Sequence, residues 1–137
     1  MKIGIVVSEY NYDITMMMLM RAKEHAEFLG AQVAKEIKVP GTFEIPLAVS
    51  RLLKSGSVDG VVTLGAVMQG ETDHDDIIMQ NTARKIMDIG VAEGKPVSLG
   101  ISGPGETRLQ AEARIEMAKD AVESVVKMIR RMESNGI

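Results

Sequence analysis

Two continuous apolar runs, Ile3–Val7 and Gly60–Val67, constrain the fold more than any other feature of the chain. Neither alternates between apolar and polar residues, and both fall far short of the roughly 18 residues of a membrane span. Short runs of this kind form strands buried on both faces of a sheet. Such a sheet needs helices on each side, and the intervening segments supply them. Ser8–Asp13 is polar and turn-like, with Asp13 placed to cap a helix over Ile14–Leu29 that Gly30 stops. Gln32–Val39 alternates, with Val33, Ile37 and Val39 as its inward set, and Pro40-Gly41 ends it. A second helix is expected over Glu44–Lys54, with Pro46 tolerated in its first turn and Ser55-Gly56-Ser57 closing it. Beyond Gly60–Val67, a loop Gln69–Asp73 leads into a third helix ending near Gly90. Pro96–Ile101 reads as a fourth strand, Ser102-Gly103-Pro104-Gly105 as a loop, and Thr107 as the cap of one long helix reaching Met132.

The expected order is therefore β-α-β-α-β-α-β-α, which implies a parallel sheet with right-handed crossovers and helices on both faces. The 137 residues leave room for a single domain spanning 1–137. Hydrophobic residues make up 45% and charged residues 26%, a balance that excludes disorder and low complexity. A formal charge of −3 does not favour nucleic acid as a partner, and aromatics at 3% leave little to stack bases on. The absence of cysteine rules out disulfides, thiolate zinc sites and cysteine nucleophiles. No signal-peptide pattern precedes the first strand, so a cytoplasmic location without membrane partners is expected.

In a parallel α/β sheet, ligands bind outside the carboxyl ends of the strands. Four loops fall there: Ser8–Asp13, Pro40–Glu44, Met68–Asp76 and Ser102–Thr107. The richest in chemistry is Gln69-Gly70-Glu71-Thr72-Asp73-His74-Asp75-Asp76. Amides at a helix N-terminus can hold an anion there. His74 suits proton transfer near neutral pH, and Asp75 or Asp76 can favour its charged form. The same residues also suit a solvated acidic helix start. A metal site built from Glu71, His74 and Asp76 is a third reading, weakened by the lack of a second histidine at ligand spacing. Gly100–Thr107 reads GISGPGET, which matches neither GxxxxGK[ST] nor GxGxxG and serves equally as a tight turn before a helix. Arg108 and Arg114 follow it, and arginine suits bidentate phosphate contact. Tyr10, at a strand end, suits stacking on a planar ligand as well as a half-buried rim position. Met16, Met17, Met18 and Met20 read as core or subunit packing, and His25 as part of an exposed charged face.

Two longer segments carry a resemblance. Val39–Pro46, VPGTFEIP, resembles the VPGAFEIP segment of the lumazine synthase family, and Leu64–His74, LGAVMQGETDH, resembles its LGxVIRGxTxH segment. Ile3–Val7 through Asn11 with Ile14-Thr15, and Gly100-Ile101 with Gln110–Arg114, fit the family's first and last elements. The match runs in order along nearly the whole chain, and its Gly-Pro-Gly loop and compact length are similar to archaeal members. The resemblance implies a flavodoxin-like α/β fold, a three-layer αβα sandwich around a four-stranded parallel sheet. It implies a transferase that condenses 5-amino-6-(D-ribitylamino)uracil with 3,4-dihydroxy-2-butanone 4-phosphate in riboflavin biosynthesis, releasing phosphate and water. It implies no cofactor and no metal. The partners implied are two small-molecule substrates and further copies of the chain: a pentamer with sites between subunits, which some members assemble twelvefold into an icosahedral shell.

Carried over by position, His74 is implied to transfer protons and Tyr10 to stack on the pyrimidine. Thr42, Phe43 and Glu44 hold the ring and the ribityl chain, and Ala66, Val67 and Met68 border the pyrimidine. Glu71, Thr72 and Arg114 bind phosphate, Arg114 across the subunit interface, where Leu99 of an adjacent subunit also contributes. The chain departs from many relatives at Gln69, where they carry arginine, and at Leu99, where they carry an aromatic ring. An archaeal-type riboflavin synthase, related in fold, is an alternative that the Gly70–His74 motif disfavours. A non-catalytic protein binding ribityl ligands or forming a shell is another.

Overall fold

The computed structural model describes residues 1–70 and 73–137. Its strands are β1 (Lys2–Ser8), β2 (Gln32–Val39), β3 (Gly60–Met68) and β4 (Val97–Glu106). They pair in parallel in the order β2-β1-β3-β4. The two continuous apolar runs thus become the two inner strands, and every residue of β3 is buried. Five helices cover the sheet: α1 (Tyr12–Phe28), α2 (Ile45–Lys54), α3 (Asp75–Glu93), α4 (Arg108–Ala113) and α5 (Met117–Ser134).

Strand alternation sorts the core into two layers. Ile3, Ile5, Val7, Val62, Leu64 and Ala66 pack with Ile14, Met18 and Ala22 of α1 and with Val122, Val125 and Val126 of α5. Val6, Val61, Val67 and Ile101 face the other way, onto Ile45, Val49 and Leu53 of α2 and Met79 and Ile86 of α3. The molecule is a three-layer αβα sandwich, and each fully buried isoleucine or leucine contributes roughly 1.5–3 kcal/mol to holding it together. Met18 belongs to the core, whereas Met17 and Met20 point outward from α1. His25 is half-buried and ties α1 to α5, with Nε2 3.0 Å from Glu123 Oε1 and its ring stacked on Phe28.

Several boundaries differ from those expected, each for a non-local reason. α1 begins at Tyr12, so Asp13 lies inside its first turn and Asn11 takes the N-cap position. In β2 the register slips between Val33 and Lys35, so Ala34 is bulged. Val33 therefore packs with the α1/α5 layer while Ile37 and Val39 join the α2/α3 layer, and the three do not share one face. α3 continues past Gly90 to Glu93 and is capped by Gly94. β4 absorbs the expected Ser102–Gly105 loop, because its pairing with β3 resumes at Met68 and Glu106 after an irregularity. The expected long last helix is two helices. Thr107 does cap the first, in a reciprocal capping box with Gln110. The chain then turns at Arg114–Glu116 before α5 begins.

α5 lies close against the sheet at Gly100. A Cβ there would stand 2.4 Å from the Thr63 carbonyl oxygen and 2.9 Å from Ala121 Cβ. Neither a paired strand nor a packed helix backbone yields easily. Gly100→Ala is expected to cost at least about 2 kcal/mol of stability through overpacking. Equilibrium urea unfolding measures this, and a wild-type midpoint would contradict the tight approach of α5.

Candidate active site

The carboxyl ends of β1 and β3 lie side by side, and Asn11 joins them. Its backbone is left-handed, at φ 61° and ψ 48°, a conformation asparagine tolerates better than other side chains. Its carbonyl accepts the amides of Ile14 and Thr15, starting α1, while its side-chain amide donates to the Ala66 carbonyl at 2.8 Å. This knot brings Tyr10 to the end of β3. On the opposite side, Gly41–Glu44 leaves β2 through a short 3₁₀ turn (Thr42–Glu44).

Tyr10, Gly41, Thr42, Phe43, Glu44, Ala66, Val67, Asp75 and Ile78 line a cleft of about 170 Å³ between these segments. It pairs two exposed rings with a buried threonine hydroxyl and two carboxylates, a composition suited to a planar, hydroxyl-bearing ligand. Of the residues expected to surround a pyrimidine and its side chain, Tyr10, Thr42, Phe43, Glu44, Ala66 and Val67 are thus brought together. Met68 is turned into the α1/α5 layer of the core. Leu99 is half-exposed on the edge strand β4, outside the cleft lining.

His74 is exposed at the N-cap position of α3, with its carbonyl accepting the Ile78 amide at 3.0 Å. It flanks the cleft, and the next residue, Asp75, is part of the wall. Asp75 and Asp76 occupy the first turn of α3, where carboxylates favour the positive end of the helix. A second, polar hollow of about 270 Å³ adjoins this turn, lined by Gln69, Gly70, Asp73, Asp75, Asp76 and Gly105. Glu71 and Thr72, expected to contact phosphate, lie outside the described residues. So does one member of the metal triad Glu71, His74 and Asp76. Among the described residues no group of three His, Asp or Glu side chains is gathered for a metal ion.

Arg114 caps the C-terminus of α4, and its Nη1 donates to Glu106 Oε1 at 3.1 Å. Glu106 is the one buried ionisable side chain among the described residues. Its position in the sequence, after two glycines and before a capping threonine, gave no sign of burial. Asn11 and Asp75 were likewise legible only as members of a turn and a helix start.

The sequence matches a known family. A sequence profile of 6,7-dimethyl-8-ribityllumazine synthase covers residues 1–133. The chain belongs to that family. The 6,7-dimethyl-8-ribityllumazine synthase of Picrophilus torridus is 63% identical over 134 residues, covering 98% of each chain. Those of Archaeoglobus fulgidus and Methanoculleus marisnigri are each 56% identical over 132 residues. These alignments cover 96% of this chain, with 92% of the first relative and 98% of the second. Alignments at this identity span nearly the whole chain. No helix of the described residues is long and apolar enough to cross a membrane.

One ion pair fastens α4 to α1. Arg108 donates to Asp13 in the first turn of α1 and also to Glu112 at 3.2 Å. The hydrogen bond from Arg108 holds the Asp13 carboxyl below its usual range, and the same contact raises the guanidinium. A depressed carboxyl adds stability above its unfolded pKa of about 3.9 and loses it as pH falls through the folded value. Both groups are exposed, so the contribution is small and screened by salt. The melting-temperature difference between wild type and Asp13→Asn is expected to be positive at neutral pH and to shrink as pH falls below the unfolded pKa of about 3.9. A difference that persists in acid would show that Asp13 acts other than through its charge.

Proposed function

We propose that this chain forms 6,7-dimethyl-8-ribityllumazine from 5-amino-6-(D-ribitylamino)uracil and 3,4-dihydroxy-2-butanone 4-phosphate, with the cleft between Tyr10, Phe43 and Ala66 as its pyrimidine site. The observation that carries this reading is the cleft itself, at the carboxyl ends of the inner strands, in a chain related throughout to lumazine synthases. Tyr10 and Phe43 stack on or flank the pyrimidine. Glu44 accepts hydrogen bonds from the ribityl hydroxyls, Thr42 donates and accepts there, and Ala66 and Val67 close the base of the site. Glu71 and Thr72 receive the phosphate together with Arg114.

The chemistry is a sequence of proton transfers. The primary amine attacks the ketone, and loss of water gives an imine. Removal of a proton from the butanone carbon skeleton expels phosphate, and the ribityl-bearing nitrogen then closes the ring with loss of another water. Holding two reactants in register supplies most of the acceleration, since well-oriented pairs reach large effective concentrations. His74, exposed beside the cleft wall, relays protons at the imine and elimination steps. No cofactor is needed for any of these bond changes.

The cleft of one chain, about 170 Å³, is smaller than the roughly 300 Å³ at which small-molecule sites begin. Two substrates need more wall than one chain gives. The proposal is that a neighbouring subunit supplies it, presenting Leu99 from β4 and Arg114 from the α4–α5 turn. A cyclic pentamer places every cleft beside such an edge, and an icosahedral assembly of pentamers is the larger form considered. The exposed Phe43, Leu47 and Ile77 around the cleft are the apolar surface such a contact would cover. A cytoplasmic location fits an enzyme acting on two phosphorylated or sugar-bearing metabolites.

The test is to mix chelator-treated protein with both substrates and follow the fluorescent lumazine against the uncatalysed reaction. Protein-dependent product is expected. A folded, oligomeric protein with no acceleration would favour a riboflavin synthase or a ribityl-binding protein instead. His74→Ala is expected to lower kcat about 10²-fold, the usual scale of one acid–base group, with either KM changed little. An unaltered kcat and pH profile would remove the proton-transfer role.

A further inference from the structure

Glu106 carries a buried charge that the reaction as described does not use. Its side chain is fully buried, while that of its partner Arg114 is 43% exposed. Arg114 Nη1 donates to Oε1 at 3.1 Å, and the buried Ser102 hydroxyl donates to Oε2 at 2.7 Å. Both oxygens are therefore fixed, one by a charged donor and one by a neutral donor that is itself in the sheet. The Glu106 carbonyl accepts the Gln69 amide at 2.7 Å, so the same residue also pins the first residue of the loop ahead of α3.

A pair of this kind is a poor source of stability, because removing a carboxylate from water costs about as much as the pairing returns. It is an effective source of geometry. A guanidinium carries its N–H donors in a rigid planar fork, and fixing one edge on a carboxylate orients the others. Arg114 sits at a helix C-terminus and a chain turn, with its side chain partly in solvent. Without an anchor its long side chain would sample many rotamers, each of which an incoming anion would have to freeze.

We propose that Glu106, held by Ser102, is a positioning residue that presents Arg114 to the phosphate of the butanone substrate. The proposal rests on the phosphate role assigned to Arg114 above. It separates position from charge, and two substitutions divide the two. Glu106→Asp keeps the charge and withdraws the carboxylate by one methylene, about 1.5 Å. Glu106→Gln keeps the reach and an oxygen that accepts from Arg114, but removes the charge. Neither touches the main-chain bond to Gln69.

The experiment is steady-state kinetics of the assembled full-length protein, with inorganic phosphate as a competitive probe. Positioning predicts that Glu106→Asp raises KM for the butanone phosphate and the inhibition constant for inorganic phosphate about tenfold, the worth of one charge-assisted hydrogen bond. Glu106→Gln is expected to change both less than about threefold, and kcat and the pyrimidine KM should stay near wild type in both variants. Ser102→Ala keeps the carboxylate and frees one of its oxygens. It should raise the same two constants about threefold and serves if Glu106→Asp does not fold.

A counter-charge role would reverse the order, with Glu106→Gln the larger effect. A merely architectural role would lower the melting temperature and disturb both substrates alike. Either result overturns the proposal. Arg114→Ala distinguishes failure of the underlying reading: if it leaves both phosphate constants at wild type, Arg114 does not bind the phosphate, and the positioning role falls with it.

Discussion

The parallel pairing of β1 with β3 is the constraint on which the molecule depends. Two strands without a polar face must be covered on both sides, and that requirement fixes the helices before any of them is considered alone. The right-handed crossovers put α1 and α5 on one face and α2 and α3 on the other. They also bring every carboxyl end to one rim of the sheet, where Ser8–Asp13 and Gln69-Gly70 emerge from neighbouring strands. The chemistry is concentrated there because the backbone leaves the sheet there. Asn11 converts that adjacency into a defined geometry: one left-handed residue starts α1 with its main-chain carbonyl and holds the end of β3 with its side chain.

Main-chain and side-chain contacts together organise the polar groups of this rim. Thr107 and Gln110 satisfy the free amides of α4, and Arg108 ties that helix to α1. Arg114 then stands where α4 stops, because the chain must turn before α5 can lie along the sheet over Gly100. The break between the two helices and the placement of the arginine are one structural fact. A single unbroken helix from Thr107 would carry the guanidinium past Glu106 at a different angle.

Much of the fold was legible in the sequence because it rests on periodicity, which is local. The four strands, their alternation with helices, the capping role of Thr107 and the loops at the carboxyl rim all follow from runs of a few residues. What was not legible depends on contacts far along the chain. The bulge at Ala34 appears only when β2 is laid against β1. The extension of β4 through Gly103-Pro104-Gly105 requires Met68 to pair with Glu106, and those glycines read locally as a loop. Gly90 was taken as a stop, yet α3 runs through it, and a Cβ there would stand 3.2 Å from the Lys95 carbonyl oxygen. The cleft residues Tyr10, Thr42, Phe43, Glu44, Ala66 and Val67 were named from family motifs. Neither Asp75 in the wall nor the buried Glu106 could be found that way, since an acidic residue in a turn looks solvated until its neighbours are known.

A four-stranded open sheet also leaves two outer strands, and they guard themselves differently. β2 presents Gln32, Lys35, Glu36 and Lys38 to solvent, so a foreign strand docking there would have to desolvate charges of both signs. β4 instead ends in an irregular stretch whose Pro104 has no amide to offer, which interrupts any hydrogen-bond ladder that begins along its regular half. Only the short segment of β4 around Leu99 remains as a template. Protein contacts along that edge are thereby limited to surfaces made by side chains, and runaway strand addition between copies is disfavoured even at the high local concentrations of a crowded assembly.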